Sequence, residues 1–154
     1  MAIHRTLEDN LKAACLECGG LYDGGEQGCV DTFVVMLDQL EAIPNKKLYV
    51  DILKAAYEVQ HFNIHGLDDR ELTMRLFKMA HFLKTGKSRI QSGEKKCTSF
   101  LETYFFYPRR ALTTIQYGQI YNQIEDGKAE QMLSQYCEEI LFAYDEYRLF
   151  LNEV

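Results

Sequence analysis

An all-α fold, a small helical bundle, is what the sequence predicts, and three observations predict it. Apolar residues recur at spacings of three and four in several separate stretches. The same stretches are bounded by residues that start and stop helices. Strand signals are scarce: the β-branched pair Thr113 and Thr114 near Ile115 is too short to support a sheet. With 154 residues and no composition break, the chain is expected to form one domain, 1–154, long enough to bury a continuous core. Apolar residues at 47%, charged residues at 26% and only two prolines suit a packed fold and not a disordered segment.

Taken in order, Thr6 precedes Leu7, Leu11 and Ala14 at helical spacing, with Asp9 three residues on, so a short first helix is expected. From Cys15 to Gly28 the composition turns to loop chemistry, with Gly19, Gly20, Gly24, Gly25 and Gly28 among polar residues. A second helix should start near Cys29, because Val30, Phe33, Val34, Leu37, Leu40 and Ile43 share a period, and Pro44 with Asn45 should stop it. A third follows from about Lys46, with Leu48, Ile52, Leu53, Ala56, Val59 and Phe62 on one face, fading at Asn63 to Gly66. The two make a tight helical hairpin.

Asp68 is a suitable N-cap with Glu71 three residues later, and Leu72, Leu76, Met79, Ala80 and Leu83 carry a fourth helix to Gly86. Lys87 to Tyr117 is expected to be mostly irregular, with a short helix near Lys95 to Thr103 and then the aromatic run Tyr104 to Tyr107. A last helix over about Lys128 to Leu151 should turn Met132, Leu133, Tyr136, Ile140, Tyr144, Tyr147 and Leu151 inward and close the bundle. No internal repeat is present.

Composition also bounds function. The longest aliphatic run, Phe33 to Leu37, is far below the roughly 20 residues that cross a bilayer, so no membrane span is expected. Met1 to Asn10 lacks an apolar signal region, which predicts a cytoplasmic protein. In a reducing compartment, five cysteines with a close-set group favour a metal or redox site over a disulfide framework. A net charge of −6 disfavours nucleic acid, although residues 84 to 110 hold seven basic side chains against two acidic ones.

Cys15 and Cys18 form a C-x-x-C followed by Gly19 and Gly20, a tight turn that lets backbone N–H groups point at two sulfurs facing one centre. That pattern predicts a zinc knuckle near the N-terminus, although C-x-x-C also serves thiol redox chemistry. Cys29, at the start of the second helix, is the natural third ligand, since a helix N-terminus favours a thiolate. The fourth follows from hairpin arithmetic: Cys29 lies sixteen residues before Asn45 and His61 sixteen residues after it. Each arm covers about 24 Å, so an antiparallel return brings His61 level with Cys29. His81, about 18 Å further along the fourth helix, and His65, just past the third, are the competing ligands. The alternative is that these cysteines are simply small buried apolar residues. Cys97 and Cys137 read as ordinary thiols. A Cys3His set fills a zinc ion's coordination, which points to a structural metal.

C-x-x-C-G-G (Cys15 to Gly20), G-C (Gly28, Cys29), A-Y-x-x-Q-H (Ala56 to His61) and A-H-x-L (Ala80 to Leu83) together resemble a bacterial domain family of unknown function. Its members typically read C-P-x-C-G, P-G-C-W, A-Y-x-x-Q-H-P and V-H-L in the same order. The likeness runs on to Gly118, Gln119 and Ile120 and to a final helix with Ala143, Tyr144 and Arg148, covering nearly the whole chain. Leu16, Gln27, Val30 and Phe62 depart from the family pattern, while the sulfur and imidazole positions are kept. The resemblance implies Cys15, Cys18, Cys29 and His61 as a set, marks His81 as a second family position, and carries no activity.

Three functions are weighed. A zinc-stabilised binding or adaptor domain comes first, since no nucleophile elbow, phosphate loop or H-E-x-x-H is present. Its protein partner would meet the aromatic run, with Phe105, Phe106, Arg109 and Arg110 as candidate contacts, although such runs are more often core. An enzyme would use His81, or an unligated His61, as acid or base beside Tyr57, Glu58 and Gln60. Nucleic-acid binding would use the basic segment 84–110.

Overall fold

The computed structural model describes residues 12–124 and 127–154. Two short strands, β1 (Lys12–Ala14) and β2 (Leu21–Asp23), precede a series of helices: α1 (Glu26–Glu41), α2 (Lys47–Gln60), α3 (Phe62–His65), α4 (Asp69–Thr85), α5 (Gly93–Thr103), α6 (Tyr117–Asn122), α7 (Ala129–Phe142) and α8 (Arg148–Leu151). The fold is mostly helical, and its only sheet among the described residues is the β1–β2 ribbon.

α2 is the central helix. Val50, Ile52, Leu53, Ala55, Ala56, Tyr57 and Val59 are all buried, so nearly its whole circumference is covered, and it packs against α1, α4 and α7. Its start follows from the turn at Asn45, whose φ of 64° is left-handed and reverses the chain after Pro44. α4 begins on the Asp68/Glu71 capping box, with the Glu71 N–H donating to the Asp68 carboxylate at 2.8 Å, and ends at left-handed Gly86. The core is one continuous cluster shared by α1, α2, α4, α5 and α7.

α1 differs from expectation in start and rotation. It opens three residues before Cys29, and its buried stripe is Cys29, Phe33, Met36 and Leu40, leaving Val34 and Val35 exposed. The first helix expected from Thr6 falls almost wholly outside the described residues, and Ala14 within its reach lies in β1. The Cys15–Gly28 stretch, expected as loop, contains β2. Its ribbon pairs Lys12 with Asp23, Ala13 with Tyr22 and Ala14 with Leu21. Three-residue strands leave no periodic signal in the sequence.

The long last helix is also a correction. α7 stops at Phe142, a 3-10 turn covers Asp145–Tyr147, and α8 completes the chain. Residues three apart eclipse in a 3-10 turn, so unwinding here sets Tyr144 and Tyr147 on one side of the chain. There they clamp the extended segment after α5. The Tyr144 hydroxyl accepts from the Arg109 N–H at 2.9 Å and donates to the Arg109 carbonyl at 3.2 Å. The Tyr147 hydroxyl accepts from the Tyr107 N–H at 3.1 Å and donates to the Phe105 carbonyl at 2.9 Å. Four backbone groups of a segment without helix or strand thereby find partners. α6 begins at Tyr117, where the stretch expected to be mostly irregular ends, and the Gln116 N–H at its start donates to the Gln119 side chain at 2.8 Å.

Tyr144→Phe keeps the buried ring and removes both bonds to Arg109. It is expected to cost about 1–3 kcal/mol, because the peptide groups left behind lose their partner; urea unfolding beside wild type measures it.

Candidate metal centre

The knuckle is built from backbone. The Cys15 N–H donates to the Gly20 carbonyl at 2.7 Å and the Gly19 N–H to the Cys15 carbonyl at 2.8 Å, closing the loop between β1 and β2. Gly19 makes the turn with φ of 80°. The Gly20 N–H then lies 3.4 Å from Cys18 Sγ, a bond that favours the thiolate. Gly28 sets the approach of α1: a Cβ there would stand 1.8 Å from the Asp23 carbonyl oxygen, so only glycine lets the first turn of α1 press against the end of β2. That contact brings Cys29 under the knuckle.

His61 arrives from the other arm, as the residue that ends α2. The ligand atoms of Cys15, Cys18, Cys29 and His61 lie within 4.8 Å of one another, and all four residues are buried, none more than 2% exposed. Cys18 Sγ and Cys29 Sγ are 3.9 Å apart, and Cys29 Sγ is 3.3 Å from His61 Nε2. His61 Nδ1 is 2.8 Å from the Tyr57 carbonyl. A carbonyl can only accept, so Nδ1 carries the proton and the Nε2 lone pair faces the sulfurs. Three sulfurs and an imidazole nitrogen make a donor set for a soft or borderline metal ion.

The electrostatics suit such an ion. The hydrogen bond from Cys18 holds the Cys29 thiol well below its ordinary range, down to about 4, against the opposing effect of burial; His61 and Tyr57 add to the lowering. Cys18 is pushed up in turn, by sharing its proton with Cys29 and then by burial. Burial raises Cys15. Of the three sulfurs, Cys29 is therefore the one most inclined to the thiolate form, and the Tyr57 hydroxyl, 3.3 Å from it, is placed to donate to that form.

Tyr57 is more than a neighbour of the site. Its ring stacks on His61 at 3.8 Å and on Phe33 at 3.7 Å, fixing the imidazole plane between core and knuckle. Gln60 points elsewhere: its amide donates to the Ala111 carbonyl at 2.9 Å and accepts from the Tyr136 hydroxyl at 2.5 Å, holding the segment before α6. His81 lies outside the cluster, with Nδ1 3.3 Å from the Val154 carbonyl. His65 meets the Tyr57 ring edge-on at 5.6 Å and is no part of the cluster either. Cys97 and Cys137 are buried and separate from it. Of the aromatic candidates, Phe105 is 87% exposed, whereas Phe106 is buried on Tyr144 and Tyr147. Arg109 pairs with Glu146, and Arg110 is exposed. The basic segment is thus divided, since Lys84 also turns to the Asn152 carbonyl at 3.1 Å.

Three supporting residues left no signal in the sequence. Glu17, inside the knuckle and 5% exposed, accepts from the N–H groups of Asn63 and Ile64 at 3.0 and 3.3 Å, tying the loop to α3. The Tyr117 hydroxyl donates to the Cys29 carbonyl at 2.8 Å. Gln116 reaches the Cys18 carbonyl at 3.4 Å. Each acts across a long stretch of sequence.

Two outcomes follow from this geometry. Gly28→Ala is expected to destabilise by roughly 1–3 kcal/mol through the Asp23 clash and to weaken metal uptake, read by denaturation and metal titration. Because burial raises Cys15 and Cys18 is raised by its bond to Cys29 and by burial, metal uptake near neutral pH should release thiol protons. Affinity should therefore fall as pH falls, most steeply once Cys29 also protonates; calorimetry in buffers of different ionisation enthalpy counts the protons. No family model, curated protein or solved structure matches the chain, so what the centre can hold follows from its own donor atoms.

Proposed function

We propose that the protein is a zinc-stabilised helical binding domain, in which Cys15, Cys18, Cys29 and His61 hold one zinc ion as a permanent cross-link. The observation that carries this is the closure of the site: four buried donors converge, and no side is left for water or substrate. The spacing supports zinc. A tetrahedral ion with Zn–S near 2.3 Å and Zn–N near 2.0 Å needs S–S edges of about 3.8 Å and S–N edges of about 3.5 Å, against 3.9 Å for Cys18–Cys29 and 3.3 Å for Cys29–His61, with all four donor atoms within 4.8 Å of one another. When bound, zinc supplies charge compensation for three thiolates and a tie between the knuckle and both arms of the α1–α2 hairpin. The chain's own residues do the rest: Tyr57 orients His61 through its carbonyl and its ring, and the Gly20 N–H and Tyr57 hydroxyl serve the sulfurs.

A filled site leaves function to the surface. Phe105 stands out from a segment whose backbone is pinned by Tyr144 and Tyr147, with Tyr107 54% exposed beside it and Arg109 over the Tyr107 ring. An exposed aromatic on a rigid support loses little entropy on docking, which supports a protein partner there.

Elemental analysis of protein purified without added metal should find one zinc per chain, and chelation should lower unfolding free energy by several kcal/mol, on the order seen for structural zinc sites. Cys29→Ser should lose the metal. A metal-free preparation whose stability ignores chelators would overturn the zinc assignment. For the surface, Phe105→Ala should lower capture of a partner by the folded, metal-loaded protein; Phe106 is unsuitable for this because it is buried. Capture at wild-type strength would remove that surface.

A further inference from the structure

A cleft of about 840 Å³ lies between α2 and α4, beneath the loop that leads into α5. Its volume is that of a site for one small molecule. Lys47, Asp51 and Lys54 follow one another on one face of α2, Lys78 faces them from α4, and Arg89 reaches in from the loop. Among the described residues, Lys47, Lys54, Lys78 and Arg89 enter no ion pair. Arg75 also lines the cleft but is neutralised: it holds Glu58 at 3.0 Å and the Glu71 carbonyl at 3.0 Å. Four free cations thus face a single free carboxylate, in a protein whose net charge is −6.

Like charges gathered in a concave surface repel one another and focus a positive field, an arrangement that becomes favourable when an anion fills it. The cleft is not uniformly polar. Leu48, Met74 and Ile90 supply apolar wall, and Met74 is itself packed under Gly93, which seats the loop that carries Arg89. Asp51, between Lys47 and Lys54, is an acceptor suited to a hydroxyl group. Cations for multiple negative charge, an acceptor for a hydroxyl and an apolar wall in one cleft describe a particular ligand chemistry.

We propose that this cleft binds a nucleoside polyphosphate, with its phosphates on Lys47, Lys54, Lys78 and Arg89, its sugar hydroxyl on Asp51 and its base against Leu48, Met74 and Ile90. The inference goes beyond the zinc assignment and shares no residue with the metal cluster. Lys54 and Arg89 are exposed, so replacing them leaves the core untouched.

The test is calorimetric titration of the metal-loaded protein with ATP, with ribose 5-phosphate and with inorganic tripolyphosphate. ATP should bind most tightly of the three. Lys54→Glu and Arg89→Glu should each weaken ATP by roughly tenfold or more, the scale of losing a charge-assisted hydrogen bond, while zinc content and the urea midpoint stay at wild-type values. Tripolyphosphate or ribose 5-phosphate binding as tightly as ATP would overturn the nucleoside assignment. ATP binding that is absent, or indifferent to both charge reversals, would overturn the site. A single-stranded oligonucleotide whose affinity climbs with length and is not displaced by ATP would replace it with nucleic-acid binding. Loss of zinc in the same preparations would instead report failure of the metal centre.

Discussion

The meeting of Cys29 and His61 across the α1–α2 hairpin is the contact on which the rest of the centre depends. One residue sits in the first turn of a helix and the other closes its antiparallel neighbour, so the reversal at Asn45 decides whether they come level. Once they do, the knuckle has a place to dock, and its two sulfurs complete a buried set of four donors. The pair also fixes the rotation of α1. Burying Cys29 turns Phe33, Met36 and Leu40 inward and leaves Val34 and Val35 outside.

Much of this was legible because helices advertise themselves. The fold class, the Asp68 start and Gly86 end of α4 and the convergence of the four cysteine and histidine positions rest on local spacing and the rise of an α-helix. The β1–β2 ribbon was hidden because its strands are three residues long and mostly exposed, so no alternation marks them. The break after Phe142 was hidden for a different reason. Tyr144 and Tyr147 sit at positions an uninterrupted helix would also bury, and their bonds to Phe105, Tyr107 and Arg109 form only in the folded chain.

The same long-range character governs what surrounds the site. Glu17, Gln116 and Tyr117 come from places that periodicity cannot connect, yet each satisfies a backbone group beside the cluster. The basic run 84–110 shows the converse. Contiguous in sequence, it disperses in space: Arg109 goes to Glu146 and Lys84 to the C-terminal turn, while Arg89 joins lysines from two other helices. Charge counted along a chain is a poor guide to charge gathered at a surface.

The β1–β2 ribbon buries almost nothing of its own beyond Cys15, Glu17 and Cys18. A ribbon with so little apolar area cannot outweigh its own ordering entropy, and two-stranded hairpins are marginal in water. On the zinc proposal its persistence rests on the ion between the sulfurs, together with the bonds of Glu17 and Gln116, whereas α2, α4 and α7 carry their own core. If zinc holds the knuckle as proposed, a chain deprived of it would keep its helices and loosen the ribbon, offering proteases an open loop and leaving the supply of one ion to set how long each copy survives.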